Sequence, residues 1–315
     1  MSSSPKTWIV CPCYFDAPLF LKVREEAISE LGVLPGGLGF LVVDDSAGLD
    51  PEIDALLAGI ADVAVMRPPY NLGHQAALVF GLRRAGSRIA LDDIVVTMDS
   101  DGEDRPRDLP AMIAPLLRNK ARLDLVVIAQ RTERTETLAF QAMYLCFKCF
   151  FRIATGTVIR SGNFASYRGW LLRDIIYHPH FDQCYSSSII SLPLNIETVP
   201  IPRGRRYRGK SKMGFWGLFT HGIRMLMPFT ERIAIRGIFA CSILSAVFLV
   251  FFVASCLHGG PGHRAATQIA FTGFCSSLLL LGMHAVLFTT FSQTKSHSLR
   301  VLHDHANSSE RGTNA

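Results

Sequence analysis

Four carboxylates fall within six residues at Asp99-Ser100-Asp101-Gly102-Glu103-Asp104, directly after the apolar run 94–98. Such groups repel one another at neutral pH. A hard divalent cation with oxygen ligands relieves that repulsion, and Mg²⁺ or Mn²⁺ held by a few carboxylates keeps positions open for substrate phosphates. Asp99, Asp101 and Glu103 are the candidate metal ligands. The Asp-Gly step marks a turn, and Asp104 stands where it can cap a helix beginning at Pro106.

Two further clusters carry polar chemistry. Asp44-Asp45-Ser46 can accept hydrogen bonds from a nucleobase imide or from ribose hydroxyls, and reads equally well as a cap or turn. In Asn71-Leu72-Gly73-His74-Gln75, Gly73 permits a close backbone approach and the start of a helix offers free N–H groups to an anion; a plain helix entry fits the same residues.

The elements that must position these groups are legible as alternating patterns. Short apolar runs at 7–11, 39–43, 63–66, 94–98 and 125–129 are separated by helix-like stretches at 18–31, 51–60, 73–85 and 106–118, several opened by proline. Repetition of this kind predicts an α/β fold with a mostly parallel sheet covered on both faces. Ligands of such sheets bind outside the carboxyl ends of the strands. Tyr14 and Asp16, Asp44 and Asp45, and Asp99 to Asp104 all fall at those ends. No Gly-x-Gly-x-x-Gly follows the first run and no Walker Gly-Lys-Ser/Thr is present, so dinucleotide oxidoreductase and P-loop readings lose their main support. A nucleotide held by carboxylates and a divalent metal remains.

Beyond Arg131 the pattern changes. Residues 138–154 form an apolar, aromatic helix pattern, followed by a Gly162-Asn163 turn, a helix near 169–176, a strand-like stretch at 195–200 and an interfacial helix over 214–227. Residues 237–257 and 267–291 contain no Asp, Glu, Lys or Arg and are each long enough to cross a hydrocarbon core of roughly 30 Å. Nine residues join them, which predicts a helical hairpin. Residues 201–236 hold nine Lys and Arg against the single acid Glu231, whereas the joining loop holds only Arg264, so the positive-inside rule places the N-terminal domain in the cytoplasm.

These patterns divide the chain into a cytoplasmic α/β domain (1–200), a basic juxtamembrane segment (201–235), two transmembrane helices (236–291) and a polar cytoplasmic tail (292–315) whose last dozen residues read as disordered. No signal-peptide pattern precedes the first run. The formal charge of +6 comes largely from the basic segment, where anionic lipid explains the patch better than nucleic acid, and no nucleic-acid partner is expected. The membrane hairpin and the interfacial helix offer surfaces for a homo-oligomer. Eight cysteines in this setting are not expected to form disulfides, and Cys11-Pro12-Cys13 and Cys146-Phe147-Lys148-Cys149 lack the second pair that a zinc site needs.

Taken in order, Cys11-Pro12-Cys13-Tyr14-Phe15-Asp16, Val43-Asp44-Asp45-Ser46, Asn71-Leu72-Gly73-His74 with Ala77 and Gly81, Met98-Asp99-Ser100-Asp101-Gly102-Glu103-Asp104 and Arg206-Tyr207-Arg208-Gly209-Lys210-Ser211-Lys212 resemble family 2 glycosyltransferases. Specifically, the chain is similar to the polyprenyl-phosphate (dolichol-phosphate mannosyltransferase-like) sugar transferases, and the two C-terminal spans suit their bacterial branch. The resemblance implies a GT-A fold and inverting transfer of a sugar from a UDP- or GDP-linked donor to a polyprenyl phosphate, with Mg²⁺ or Mn²⁺ as cofactor. It also implies the bacterial inner membrane as location, the cytoplasmic face as the working side and membrane lipid as a partner.

Carried onto this sequence, the resemblance has Pro12, Tyr14, Asp16, Asp44, Asp45, Asn71, Gly73 and Asp99 bind the nucleotide-sugar. Asp99, Asp101 and Glu103 meet the metal and diphosphate, while Arg131, Arg206, Ser211 and Lys212 hold the acceptor phosphate and leaving group, with Asp101 and Arg131 as the catalytic pair. Departures from the family pattern are Phe15-Asp16 for Asn-Glu, Ser46 for Gly, Glu103 for Gln, and the Asn163-Phe164 segment for an acidic-Phe-Arg one. Two other readings are a transferase acting on a hydroxyl of another lipid or a growing glycan, and an inactive membrane scaffold of the same fold. The basic segment also stands on charge alone: a polyprenyl phosphate carries between one and two negative charges at neutral pH, its second pKa being about 6, and a row of Arg and Lys attracts it.

Overall fold

The computed structural model describes residues 4–32, 36–86, 88–132, 138–159, 163–202, 204–208, 214–257 and 264–312. Seven strands form one sheet: β1 (Thr7–Cys13), β2 (Leu38–Asp44), β3 (Val63–Met66), β4 (Ile94–Thr97), β5 (Leu125–Arg131), β6 (Ala165–Arg168) and β7 (Asn195–Ile201). Their spatial order is β3-β2-β1-β4-β6-β5-β7. All neighbours pair in parallel except β6, which runs antiparallel to both β4 and β5. The strand order reverses beside β1, which pairs with both β2 and β4, and this is where open α/β sheets leave a crevice for ligands.

The helices up to residue 226 are α1 (Ala17–Leu31), α2 (Pro51–Leu57), α3 (His74–Ala85), α4 (Leu109–Arg118), α5 (Leu138–Thr155), α6 (Gly169–Ile175), α7 (Tyr185–Ser191) and α8 (Phe215–Leu226). Ile9, Val42, Phe40, Ile94 and Val127 of the sheet pack with Phe20 and Val23 of α1 and Met112 and Leu116 of α4 in one continuous core. On the other face α3 lies so close to β2 that a Cβ at Gly81 would fall 2.4 Å from Val43 Cγ2. That approach fixes where α3, and therefore His74, begins.

The strands are longer at their carboxyl ends than the apolar runs alone suggest: β1 reaches Cys13, β2 reaches Asp44 and β5 reaches Arg131. The polar ends continue the ladder because backbone pairing does not depend on side-chain hydropathy. Strand β6 and helix α7 leave no comparable periodic signal. Each is too short for its pattern to stand out, and β6 is buried on both faces.

The chain divides into two compact units, Met1–Cys149 with Thr157–Pro228, and Phe150–Gly156 with Phe229–Ala315. The second unit is dominated by α9 (Thr230–Leu257) and α10 (Arg264–Gly312). Two helical stretches, Trp216–Leu257 and Arg264–Phe291, are long and apolar enough to cross a membrane. Large apolar side chains such as Phe239, Val250, Phe251, Leu279 and Met283 face outward. Between α9 and α10, Ser245 donates to Ser277 at 2.7 Å, and Ser255 and Thr267 hydrogen-bond at 2.6 Å. The helical backbone of α10 runs on to Gly312, through the stretch whose polar composition reads as disordered. The joining residues 258–263 lie outside the described residues.

Candidate active site

The carboxyl ends of six strands and the amino end of antiparallel β6 meet on one edge of the sheet. Because Thr97 of β4 pairs with Ala165 of β6, Asn163 arrives beside the residues that follow β4. The turn after β4 holds Asp99, Asp101 and Glu103 so that one carboxylate oxygen from each lies within 4.8 Å of the others. Gly102 makes this turn possible with φ +88°, a conformation that side chains with a Cβ rarely adopt. Glu103 N–H donates to Asp101 Oδ1 at 2.9 Å, and Asp99 N–H donates to Asp104 Oδ2 at 3.0 Å, so the carboxylates also tie the turn together.

Two arginines enter this cluster from different elements. Arg131, at the end of β5, sets Nη2 3.3 Å from Asp104 Oδ1 and Nη1 3.9 Å from Glu103 Oε2. Arg206, in the segment after β7, sets Nη2 2.5 Å from Asp101 Oδ2. Its Nε is buried without a hydrogen-bond acceptor among the described residues. Ser211 and Lys212, assigned to the same phosphate-binding group, lie outside the described residues, as do Arg203, Gly209 and Lys210.

His74, the first residue of α3, places Nε2 3.0 Å from Asp99 Oδ1 and 3.0 Å from Asn163 Nδ2. The polarity of the neighbouring amides can be followed outward. Ser186 N–H donates to Gln75 Oε1 at 2.9 Å, so Gln75 Nε2 faces Asn163 Oδ1 at 2.6 Å, and the Asn163 amide N–H₂ is the group turned to His74. Asp99 Oδ1 is buried and, although close to His74, makes no aligned hydrogen bond among the described residues.

The electrostatics follow from burial and crowding. Burial disfavours the ionised form of Asp101, and Asp99 adds to it, so its pKa is raised. Burial and then Asp99 push Asp104 up to about 7, against the pull of Arg131. Burial also works against Asp99, but His74, Arg131 and Arg206 together hold its pKa below the ordinary carboxylate value. For His74 burial favours the neutral ring, yet Asp99, Asp104 and Asp101 outweigh it and raise the pKa.

An all-oxygen donor set with a buried, unaligned Asp99 oxygen and mutually repelling neighbours fits a hard divalent cation. Asp99, Asp101 and Glu103 would hold it.

The residues assigned to the nucleotide are placed as follows. Pro12 is buried in β1, Tyr14 is 41% exposed just beyond it, and Asp16 stands at the start of α1. Phe15 between them has φ +53°, a strained turn that directs the chain from strand to helix. Asp44 is fully buried, with Oδ1 accepting from Ser46 N–H and Oγ and Oδ2 accepting from Arg67 Nε at 2.7 Å. Asp45 accepts from Leu72 N–H at 2.7 Å and Gly73 N–H at 3.0 Å, and its carbonyl accepts from Asn71 Nδ2. Asp45 therefore supplies the anion at the entry to α3, and Asn71 and Gly73 are drawn toward β2.

Arg67 and Asn163 also belong to this edge without being singled out by the sequence, and Gln75, part of the Asn71–Gln75 cluster, takes the role of orienting Asn163. Arg67 follows β3 at the sheet's carboxyl end, a position that marks it as readily as Asp44 once the strand is recognised. Asn163 gives no such signal, because its place depends on β6 running antiparallel.

A mostly parallel sheet with an Asp-x-Asp turn at its switch point is the architecture of a GT-A glycosyltransferase. The family model for Glycosyl transferase family 2 matches residues 9–176, more than half of the chain, and the chain belongs to that family. Among solved structures it is similar to a mycobacterial protein (19% identity, covering 73% of this chain and 75% of that one, TM-score 0.47). It is also similar to glucosyl-3-phosphoglycerate synthase from Mycobacterium tuberculosis, in complex with UDP (18% identity, 73% and 80% covered, TM-score 0.46). The same enzyme with Mn²⁺, UDP and phosphoglyceric acid gives 19% identity, 73% and 78% covered, and a TM-score of 0.49. No curated protein matches the chain significantly.

Proposed function

We propose that this glycosyltransferase moves a sugar, with inversion, from a UDP- or GDP-sugar to a polyprenyl phosphate at the cytoplasmic face of a bacterial inner membrane. The observation that carries the reading is the convergence of Arg131 and Arg206 on the acidic turn from separate elements. Carboxylates alone suit a cation. Carboxylates with two guanidiniums beside them suit a cation and more than one phosphate, which is what a nucleoside diphosphate leaving group and a phosphate acceptor require together.

A divalent ion bound there supplies Lewis-acid stabilisation of the departing diphosphate. Asp99, Asp101 and Glu103 would hold it, and Arg131 and Arg206 would neutralise charge on the leaving group and the incoming phosphate. A phosphate nucleophile is already ionised at neutral pH, so no side chain has to take a proton from it. The apolar helices Trp216–Leu257 and Arg264–Phe291 support a membrane location, since a lipid acceptor would reach the protein there.

A hydroxyl acceptor is the second reading, and Asp104 favours it. A transferase acting on a hydroxyl needs a carboxylate near the attacking oxygen, and Asp104 stands beside the proposed metal ligands on the acidic turn. The products formed by the purified membrane protein from nucleotide-sugar and Mn²⁺, with polyprenyl phosphate or polyprenol offered separately, decide between them. Sugar transfer to the phosphate supports the first reading; transfer only to the alcohol rejects it.

A further inference from the structure

We propose that Glu26 and Tyr207 form a latch that holds segment 204–208 over the acidic turn, making Tyr207 a positioning residue for Arg206. The functional half of this proposal rests on the reading of Arg206 as a phosphate-binding group; the latch itself does not.

Two backbone hydrogen bonds lay the segment along the turn: Gly204 N–H donates to the Glu103 carbonyl at 2.9 Å, and Tyr207 N–H donates to the Asp101 carbonyl at 3.0 Å. Between them the Tyr207 ring occupies the space above Gly102, where an added Cβ would lie 2.6 Å from ring carbon Cε2. The ring packs against the hydrophobic core of the sheet. Its hydroxyl donates to Glu26 Oε2 on α1 at 2.5 Å, and Lys22, one turn earlier on α1, sits 4.1 Å from the ring centroid.

The need for such an anchor follows from the Arg206 ion pair. Arg206 reaches this site by pairing with Asp101, one of the carboxylates a divalent cation would take. Arg206 cannot be held by a bond that cation binding must loosen. The two backbone hydrogen bonds, the ring contact and the Glu26 bond use none of the cluster's carboxylate oxygens, so they persist when Asp101 turns to a cation. Arg206 then needs only a side-chain movement to meet a phosphate; its Nε makes no hydrogen bond among the described residues and stands 3.9 Å from Glu103 Oε1.

Hydrogen exchange in the full-length protein reads the latch without substrate. Tyr207→Phe and Glu26→Leu are expected to speed exchange of the Tyr207 amide about tenfold, the size of a lost hydrogen bond to a charged group, whereas Glu26→Gln, whose amide oxygen still accepts a neutral hydrogen bond, gives a clearly smaller increase. In turnover, the first two variants raise KM for polyprenyl phosphate about tenfold and leave KM for the nucleotide-sugar within about twofold. Unchanged exchange overturns the latch. Faster exchange with an unchanged acceptor KM, or with both KM values raised alike, overturns the positioning role. A wild-type protein that does not use polyprenyl phosphate overturns the acceptor reading and leaves the exchange result standing on its own.

Discussion

Arg206 Nη2 lies 2.5 Å from Asp101 Oδ2, so a fixed cation already occupies one of the three carboxylates proposed to hold a metal ion. Guanidinium and divalent ion compete for the same carboxylate. Arg206→Gln is therefore expected to bind Mn²⁺ about tenfold more tightly in the absence of nucleotide, the worth of one charge-assisted hydrogen bond, while transferring sugar more slowly. Electron paramagnetic resonance of free Mn²⁺ during titration measures the affinity, and weaker binding by the variant would contradict the competition.

Removal of a ligand has the opposite sign. Asp101→Ala is expected to abolish metal-dependent turnover while the protein is still recovered from membranes at wild-type yield, because Asp101, though buried, stands in the turn after β4 and outside the apolar core. Chelation of the wild-type enzyme should give the same loss, reversed by added Mn²⁺ or Mg²⁺. Turnover by Asp101→Ala that matches wild type would reject the assigned centre.

What could be read in advance has a physical pattern. The first five strands announce themselves as apolar runs, most plainly β1, β2, β4 and β5, which are buried almost throughout, and the acidic turn follows from its place after the fourth. The partners of individual carboxylates were not legible. Asp44 and Asp45 suggest nucleoside contacts by type and position, yet Arg67, Ser46, Leu72 and Gly73 already use their oxygens. Nothing in the spacing of Asp44 and Arg67 reveals that pairing, which arises because β2 and β3 are adjacent. Asn163 and Tyr207 were hidden for the same reason. Each reaches the site through a nonlocal contact made by a short irregular segment, where periodicity carries no information.

The turn itself depends on a residue with no side chain. Gly102 combines φ +88° with the Tyr207 ring pressed over its α-carbon, so Gly102→Ala meets both backbone strain and a steric clash. The expected cost is about 1–3 kcal/mol of local stability, felt as faster exchange of amides 99–104 and reduced metal affinity. Gly59 also has a positive φ but has open space around it, so Gly59→Ala provides the control, with backbone strain and no effect on metal binding. Equal Mn²⁺ affinity in Gly102→Ala and wild type would show that the turn tolerates a Cβ.

Asp104 makes the metal-free protein sensitive to pH in a direction that can be worked out. Burial and the neighbouring Asp99 raise its carboxyl to about 7, above the unfolded value of about 3.9. The folded protein therefore holds a proton that the unfolded chain releases. Asp104's contribution is fully present below about pH 4 and is lost as pH rises through about 7. Asp101, also raised, adds in the same sense, whereas Asp99, held low by His74 and the arginines against its burial, contributes oppositely. Thermal unfolding with chelator present is expected to give a lower Tm at about pH 8 than at about pH 5, and Asp104→Asn, which cannot ionise, should reduce that slope. Added Mn²⁺ should also reduce it in the wild type, because a cation beside the cluster favours the ionised carboxylates. If the slope is the same in wild type and Asp104→Asn, another group titrates in this range and Asp104 is not held protonated by its surroundings.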